Sequence, residues 1–465
     1  MHLFHLFDQS LIARADEEAL SWQDRMFTFG EIEVASNQLC RMLREEGFLP
    51  GDRLCVQLAN QPLMVFLYLA CLKAGVIFVP INVLYKDREI QHILQDAEPR
   101  AFWKAPAEIP AWQSFPAQRP SLEQLSGATV ASLIYTSGTT GLAKGAMLTH
   151  DNFAFNAITI CSAWGMNAAD RLLLSLPLFH VHGLGNGIHA WLLTGMKLRL
   201  LERFEKSRVA EEFREFRPTV FFGVPTMYVR LLELEAALAI DLARGVRLWV
   251  SGSAPLAEAV LAGFELRFGS RILERYGMTE ALMIASNPLV GERRAGSVGP
   301  PLPGVKIEIR GDTNEVWVQG PNVCAGYWRQ PQATADAIVQ GWFRTGDIGG
   351  LSPDGYLTLH GRKSDLIISG GFNIYPREIE EFLLEQPEVL EAAVAARPDA
   401  ARGEVPVAFI VMKPEASIAP SELPDELQRR CQASLASFKV PREFRMITAL
   451  PRNALGKVQK HLLPL

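Results

Sequence analysis

Nothing in this chain looks like a cross-linked or zinc-stapled framework. Its six cysteines, Cys40, Cys55, Cys71, Cys161, Cys324 and Cys431, are scattered, and no two form a CxxC pair. The pattern gives no zinc or disulfide signal and fits reduced, buried thiols. Excess charge of one sign is lacking too. A formal net charge of −5 over 465 residues argues against non-specific binding to nucleic acid or to an anionic membrane. Long apolar runs are missing: the longest stretch, 63–81, is broken by Lys73 and Gly75 and closes on Pro80. It reads as a helix followed by a buried strand rather than a membrane span. The first residues show no basic region followed by an apolar one, and Asp8, Asp16, Glu17 and Glu18 argue against a transit peptide. No internal repeat or low-complexity tract is evident. These absences leave a globular, cytoplasmic protein, in keeping with 48% hydrophobic and 21% charged residues.

What is present begins with a loop. The apolar run 130–134 leads into Thr136, Ser137, Gly138, Thr139, Thr140 and Gly141, and then Lys144 and Gly145. Glycines let backbone N–H groups turn inward, hydroxyls add donors, and Lys144 adds charge, which suits a polyphosphate. It is not a Walker A loop, because Gly145 rather than Ser or Thr follows the lysine. Short apolar runs at 53–58, 171–176, 197–201, 219–223 and 247–250 alternate with helical patterns. Such alternation predicts α/β layers with largely parallel sheets. At 305–309 and 315–318 the period becomes two, as in half-exposed antiparallel strands. A boundary is expected near Gly361 to Asp365. Beyond it Pro376 opens a helix with Ile379, Phe382 and Leu383 on one face, and 389–395 and 407–412 read as strands.

Further segments fit a nucleotide site. Gly252, Ser253, Ala254 and Pro255 follow a strand and offer backbone to a planar base. Tyr276, Gly277, Met278, Thr279 and Glu280 bring an aromatic face, a hydroxyl and a carboxylate together. Asp347 suits ribose hydroxyls, as acidic residues do in other nucleotide sites, and Arg362 follows it. Lys457 lies on a turn that begins at Asn453.

Taken in order, these motifs resemble the acyl-CoA synthetase family of adenylate-forming enzymes, from Phe27 to Lys457. The resemblance implies an α/β fold. A large N-terminal domain (1–362) would hold layered α/β subdomains and a small β-barrel-like part. A small mobile α+β C-terminal lid (363–465) would carry the catalytic lysine. It implies ATP, Mg²⁺ and coenzyme A as reaction partners. A carboxylate attacks the α-phosphate of ATP, and a thiol then displaces AMP. By the same resemblance, Thr136 to Lys144 hold the β- and γ-phosphates, Thr279 contacts the α-phosphate and Glu280 holds the metal. Tyr276 stacks on adenine beside Gly252 to Pro255, and Asp347 and Arg362 hold the ribose. Lys457 bridges the attacking carboxylate and the α-phosphate. Ser369, Gly370 and Gly371 line the pantetheine path. Two positions depart from the family pattern: Ser364 stands at the hinge, and Ala143 stands where proline is usual.

For the acid, the segments 177–184, 273–280 and 286–299 look closest to malonyl-CoA synthetases. A buried guanidinium is expensive unless an anion meets it. Arg275, helped by Arg230, is therefore expected to read a second carboxylate, with His182 in the acid pocket and His180 beside the reaction. Read without the family, each residue has a plainer role. Glu280 is a helix cap, Tyr276 a core ring, Asp347 a turn anchor, and Arg275 a partner of Glu274. His180 and His182 have the look of a metal pair, although no third ligand is evident.

Overall fold

The computed structural model describes residues 3–121, 125–136, 143–400, 402–453 and 456–465. A large N-terminal domain holds two α/β sheets and one antiparallel sheet, and a small C-terminal domain holds a fourth. The eight-stranded sheet runs Leu282–Ser286, Ile272–Met278, Leu248–Ser251, Val220–Gly223, Arg171–Leu174, Lys197–Leu200, Glu18–Trp22 and Arg25–Thr28. Its centre is parallel and its two outermost pairs are antiparallel. The central strands are continuous apolar runs because helices cover both faces. A second sheet runs Ala101–Trp103, Arg53–Val56, Ile77–Pro80, Val130–Thr136 and Lys144–Thr149.

The stretch 63–81 forms the helix Pro62–Ala74 and the strand Ile77–Pro80, as its broken hydrophobicity predicts. Pro62 at the first helical position and Gly75 in the left-handed region bound the helix. The period-two segments pair antiparallel as Lys306–Arg310 with Glu315–Gln319. In the C-terminal domain, the helix Pro376–Leu384 buries Ile379 and Leu383 against a sheet that includes Val389–Asp399 and Gly403–Met412. All six cysteines are buried and free. No helix among the described residues is long and apolar enough to cross a membrane.

Candidate active site

Two antiparallel strands flank the loop segment, and Thr136 faces Lys144 across the ladder. Ser137, Gly138, Thr139, Thr140 and Gly141 lie outside the described residues. The shoulders of the loop are pinned. The His92 imidazole Nε2 donates to the Ala143 carbonyl at 2.7 Å, and the Tyr135 hydroxyl donates to Asp96 at 2.6 Å. Lys144 Nζ stands 5.2 Å from the centre of the Tyr327 ring.

Opposite the loop, Ile272–Met278 turns back into Leu282–Ser286 through the short 3₁₀ turn Thr279–Ala281. Glu280 therefore projects from a hairpin tip rather than capping a helix. It is buried, and its Oε1 accepts the hydroxyls of Thr136 (3.1 Å) and Tyr327 (3.2 Å). Thr279 is buried beside it. Gly277 admits the Leu282 carbonyl so closely that a Cβ there would stand 2.3 Å from that oxygen. Met278 is half-buried.

Tyr276, Asp347 and Arg362 form one cluster. The Tyr276 hydroxyl donates to Asp347 Oδ2, and Arg362 Nε meets Asp347 Oδ1 at 2.7 Å. Asp347 pushes the Arg362 guanidinium above its ordinary pKa. Lys457 is drawn to the same place. Its pKa is lowered, first by desolvation and then by Arg362, while Asp347 and Asp365 act the other way. Gly456 packs so tightly on Thr226 that a Cβ would lie 2.7 Å from the Thr226 hydroxyl. The turn bearing Lys457 thus lies against the first turn of the helix Pro225–Leu231.

Arg275 belongs to the same strand as Tyr276 but points elsewhere. It is 5% exposed, and neither Nε nor Nη2 has a hydrogen-bond partner. Burial pushes its pKa down to about 9. It does not pair with Glu274: neighbours in a strand face opposite sides, and the Glu274 carboxylate accepts the Leu256 N–H at 3.1 Å. Burial raises Glu274 to about 7, against the pull of Arg377 from the C-terminal domain. Gly252 makes room for Arg275, since a Cβ there would stand 2.2 Å from the guanidinium carbon. Ser253, next to Gly252, has φ of +70° and meets His182 Nδ1 at 3.1 Å. Ala254 is half-buried and Pro255 exposed.

The His182 backbone N–H donates to His180 Nδ1 at 3.1 Å, which leaves a neutral His180 its proton on Nε2. Desolvation, then Arg275, lowers His180 to about 4 and drives His182 well below the usual range. Both rings are uncharged near neutral pH. Among the described residues no group of three His, Cys, Asp or Glu side chains could hold a metal. Arg230 departs from expectation. Tyr228 and Leu231 face the core, which turns Arg230 to the exposed side of its helix.

In the small domain Gly370 (φ +57°) and Gly371 (φ +84°) form a two-residue hairpin turn after Ser369. Both positions need the left-handed region that glycine tolerates. Ser369 is fully buried and its hydroxyl lacks a partner.

A model described as AMP-binding enzyme matches residues 7–328, and one for the AMP-binding enzyme C-terminal domain matches residues 378–457. The chain belongs to the AMP-binding enzyme family. Among its relatives is a long-chain-fatty-acid–CoA ligase from Bacillus subtilis, 32% identical over 96% of this chain and 91% of that protein. Another is a malonate–CoA ligase from Arabidopsis thaliana, 31% identical over 96% of this chain and 85% of that one. ATP-bound MatB from Rhodopseudomonas palustris has the same fold, with a TM-score of 0.90 and 33% identity over 99% and 98% of the two chains. This AMP-binding enzyme is accordingly an acid–CoA ligase of the ATP-dependent, adenylate-forming type.

Sequence reasoning missed some of the residues that surround this site. Tyr327 touches both Lys144 and Glu280, His92 anchors the phosphate loop, and Thr226 receives the Lys457 turn. None has a local pattern that marks it; only the Gly-Tyr-Trp run at 326–328 offers even a compositional cue.

Proposed function

We propose that this ligase joins a small dicarboxylic acid, malonate or methylmalonate, to coenzyme A. One observation carries the reading: a buried guanidinium with two unpartnered nitrogens, held between two uncharged histidines and a bare glycine. An isolated buried cation is costly, and a second carboxylate on the substrate would pair with it in bidentate fashion. A fatty acid would leave that cation unpaired. The malonate–CoA ligase relative supports the reading, and the fatty-acid–CoA ligase relative shows that the family alone does not decide it.

In this reading the substrate's near carboxylate meets the α-phosphate close to Lys457 and Thr279. Lys144 and the loop before it neutralise the departing pyrophosphate, and Asp347 and Arg362 hold the ribose. Fixed donors and cations of this kind stabilise charge without reorganising as it develops. His180, neutral with Nε2–H, donates near the reacting acyl group, and His182 flanks the acid. The site fits a Mg²⁺ ion that arrives with the phosphates, because the buried Glu280 carboxylate stands next to Thr136 and no preformed cage exists among the described residues. The ion would supply charge neutralisation at the phosphates. The domain 363–465 then rotates, and the turn Ser369 to Gly371 admits pantetheine.

The test is thioester formation with ATP, Mg²⁺, coenzyme A and a panel of mono- and dicarboxylic acids. Malonate or methylmalonate is expected to show the highest kcat/KM. A monocarboxylate that outcompetes both overturns the assignment.

A further inference from the structure

We infer that Asn322 is the residue that positions Glu280 for adenylation, by holding Leu282 in a backbone conformation it would otherwise leave. Leu282 has φ of +46° and ψ of −127°. That combination belongs to the first central position of a type II′ turn, where glycine dominates. A leucine there stores strain and persists only when its surroundings over-determine it.

Asn322 supplies much of that determination. It is fully buried, and its amide nitrogen donates to the Ala281 carbonyl at 2.6 Å and to the Met283 carbonyl at 3.1 Å. Those two carbonyls flank Leu282 on either side. The amide oxygen of Asn322 has no partner. A buried, unsatisfied oxygen is a standing cost, so the side chain earns its place through its two N–H groups. Two further bonds complete the frame. The Cys324 N–H donates to the Glu280 carbonyl at 2.7 Å, and Asn156 Oδ1 accepts the Met283 N–H at 3.0 Å. Residues 280 to 283 are therefore clamped from two sides, and the Glu280 carboxylate is aimed at Thr136 and Tyr327. Asn322 does not touch that carboxylate; it acts through the backbone.

The inference rests on the reading that Glu280 serves the adenylation step. Strain relief separates a positioning role from a structural one. Glycine at 282 adopts the same backbone without strain, so Leu282→Gly removes the need for the clamp. The assay is acid-dependent exchange of pyrophosphate into ATP with the full chain, using the best acid of the panel, alongside Tm. Asn322→Ala is expected to lower exchange kcat by about tenfold or more and to leave KM for the acid within about threefold. The double variant Asn322→Ala with Leu282→Gly is expected to recover to within about threefold of Leu282→Gly alone. Should Asn322→Ala not fold, Asn322→Ser, which keeps one donor, takes its place under the same criteria. An unchanged kcat, or a double variant showing the full product of the two single losses, overturns the inference. Glu280→Gln is the control: if it keeps full exchange, the role given to Glu280 fails, and the inference with it.

Discussion

Replacing Arg275 by leucine should do opposite things to stability and to catalysis. The guanidinium is 5% exposed and burial pushes its pKa down to about 9. At about 1.4 kcal/mol per pKa unit, burial charges the cation on the order of 5 kcal/mol. In the free enzyme nothing visible offsets this, because Nε and Nη2 have no partners. Arg275→Leu removes the charge and keeps much of the apolar volume, so its Tm at pH 7 should equal or exceed that of the wild type. The folded-state pKa lies below the unfolded one, so the unfolded chain binds more protons above about pH 9. Wild-type stability should therefore rise relative to the variant as pH climbs through 9, and the difference should be constant below that. With substrate the sign reverses. Losing one partner of a buried ion pair costs roughly 3–5 kcal/mol, so kcat/KM for malonate should fall by about 10² to 4 × 10³. Scanning calorimetry from pH 7 to 10 and thioester formation over the acid panel measure both effects. A variant that melts several degrees lower at pH 7 while keeping its kcat/KM would refute the reasoning.

Other expectations follow from the same geometry. Gly252→Ala would put a Cβ 2.2 Å from the Arg275 guanidinium carbon; it should raise KM for the acid about tenfold while KM for ATP moves less, which substrate titrations will show. Glu274 is raised from 4.5 to about 7 by burial, so the folded chain binds the extra proton between those values and loses about 3 kcal/mol as pH rises through them. Glu274→Gln should be more stable than the wild type at pH 8 and lose that advantage by pH 4.5, read as the difference in Tm against pH. Lys457→Ala should cut pyrophosphate exchange by about 10² or more yet leave thioester formation from supplied acyl-adenylate within about threefold, because the lysine serves only the first step.

The layers of the fold were legible because buried parallel strands are written as apolar runs that stop at Gly, Pro or Ser. The reading 171–176 overshot the strand Arg171–Leu174 by two residues for a local reason. The Leu176 carbonyl leaves the ladder and accepts the Asn60 amide, 116 residues away in sequence. The site was legible as a set of motifs in order but not as contacts. Thr136 reaches Glu280 across 144 positions, and no periodicity encodes that pairing. Tyr327 and Asn322 escaped notice for the same reason: each acts on a motif without belonging to one. Arg230 is different, because its outward direction was readable. With Tyr228 and Leu231 as the inward positions of a short helix, residue 230 falls on the opposite side.

One strand explains why the buried Arg275 cation is not neutralised by its neighbour Glu274. Glu274 and Arg275 are adjacent, oppositely charged and both buried, yet they cannot neutralise one another, because alternate residues of a strand face opposite sides. Each must find its counter-charge elsewhere. Glu274 faces the Leu256 N–H and feels Arg377 of the small domain. Arg275 faces Gly252 and the uncharged histidines and meets no anion among the described residues. The strand thus carries a carboxyl that senses the small domain next to a guanidinium that, under the proposed function, meets the substrate. Had the register slipped by one residue, each side chain would occupy the other's side. The pocket would then present a carboxylate, which repels the second carboxylate of a dicarboxylic acid. In the proposed reading, selectivity for an anionic tail is set by the parity of one residue in one strand.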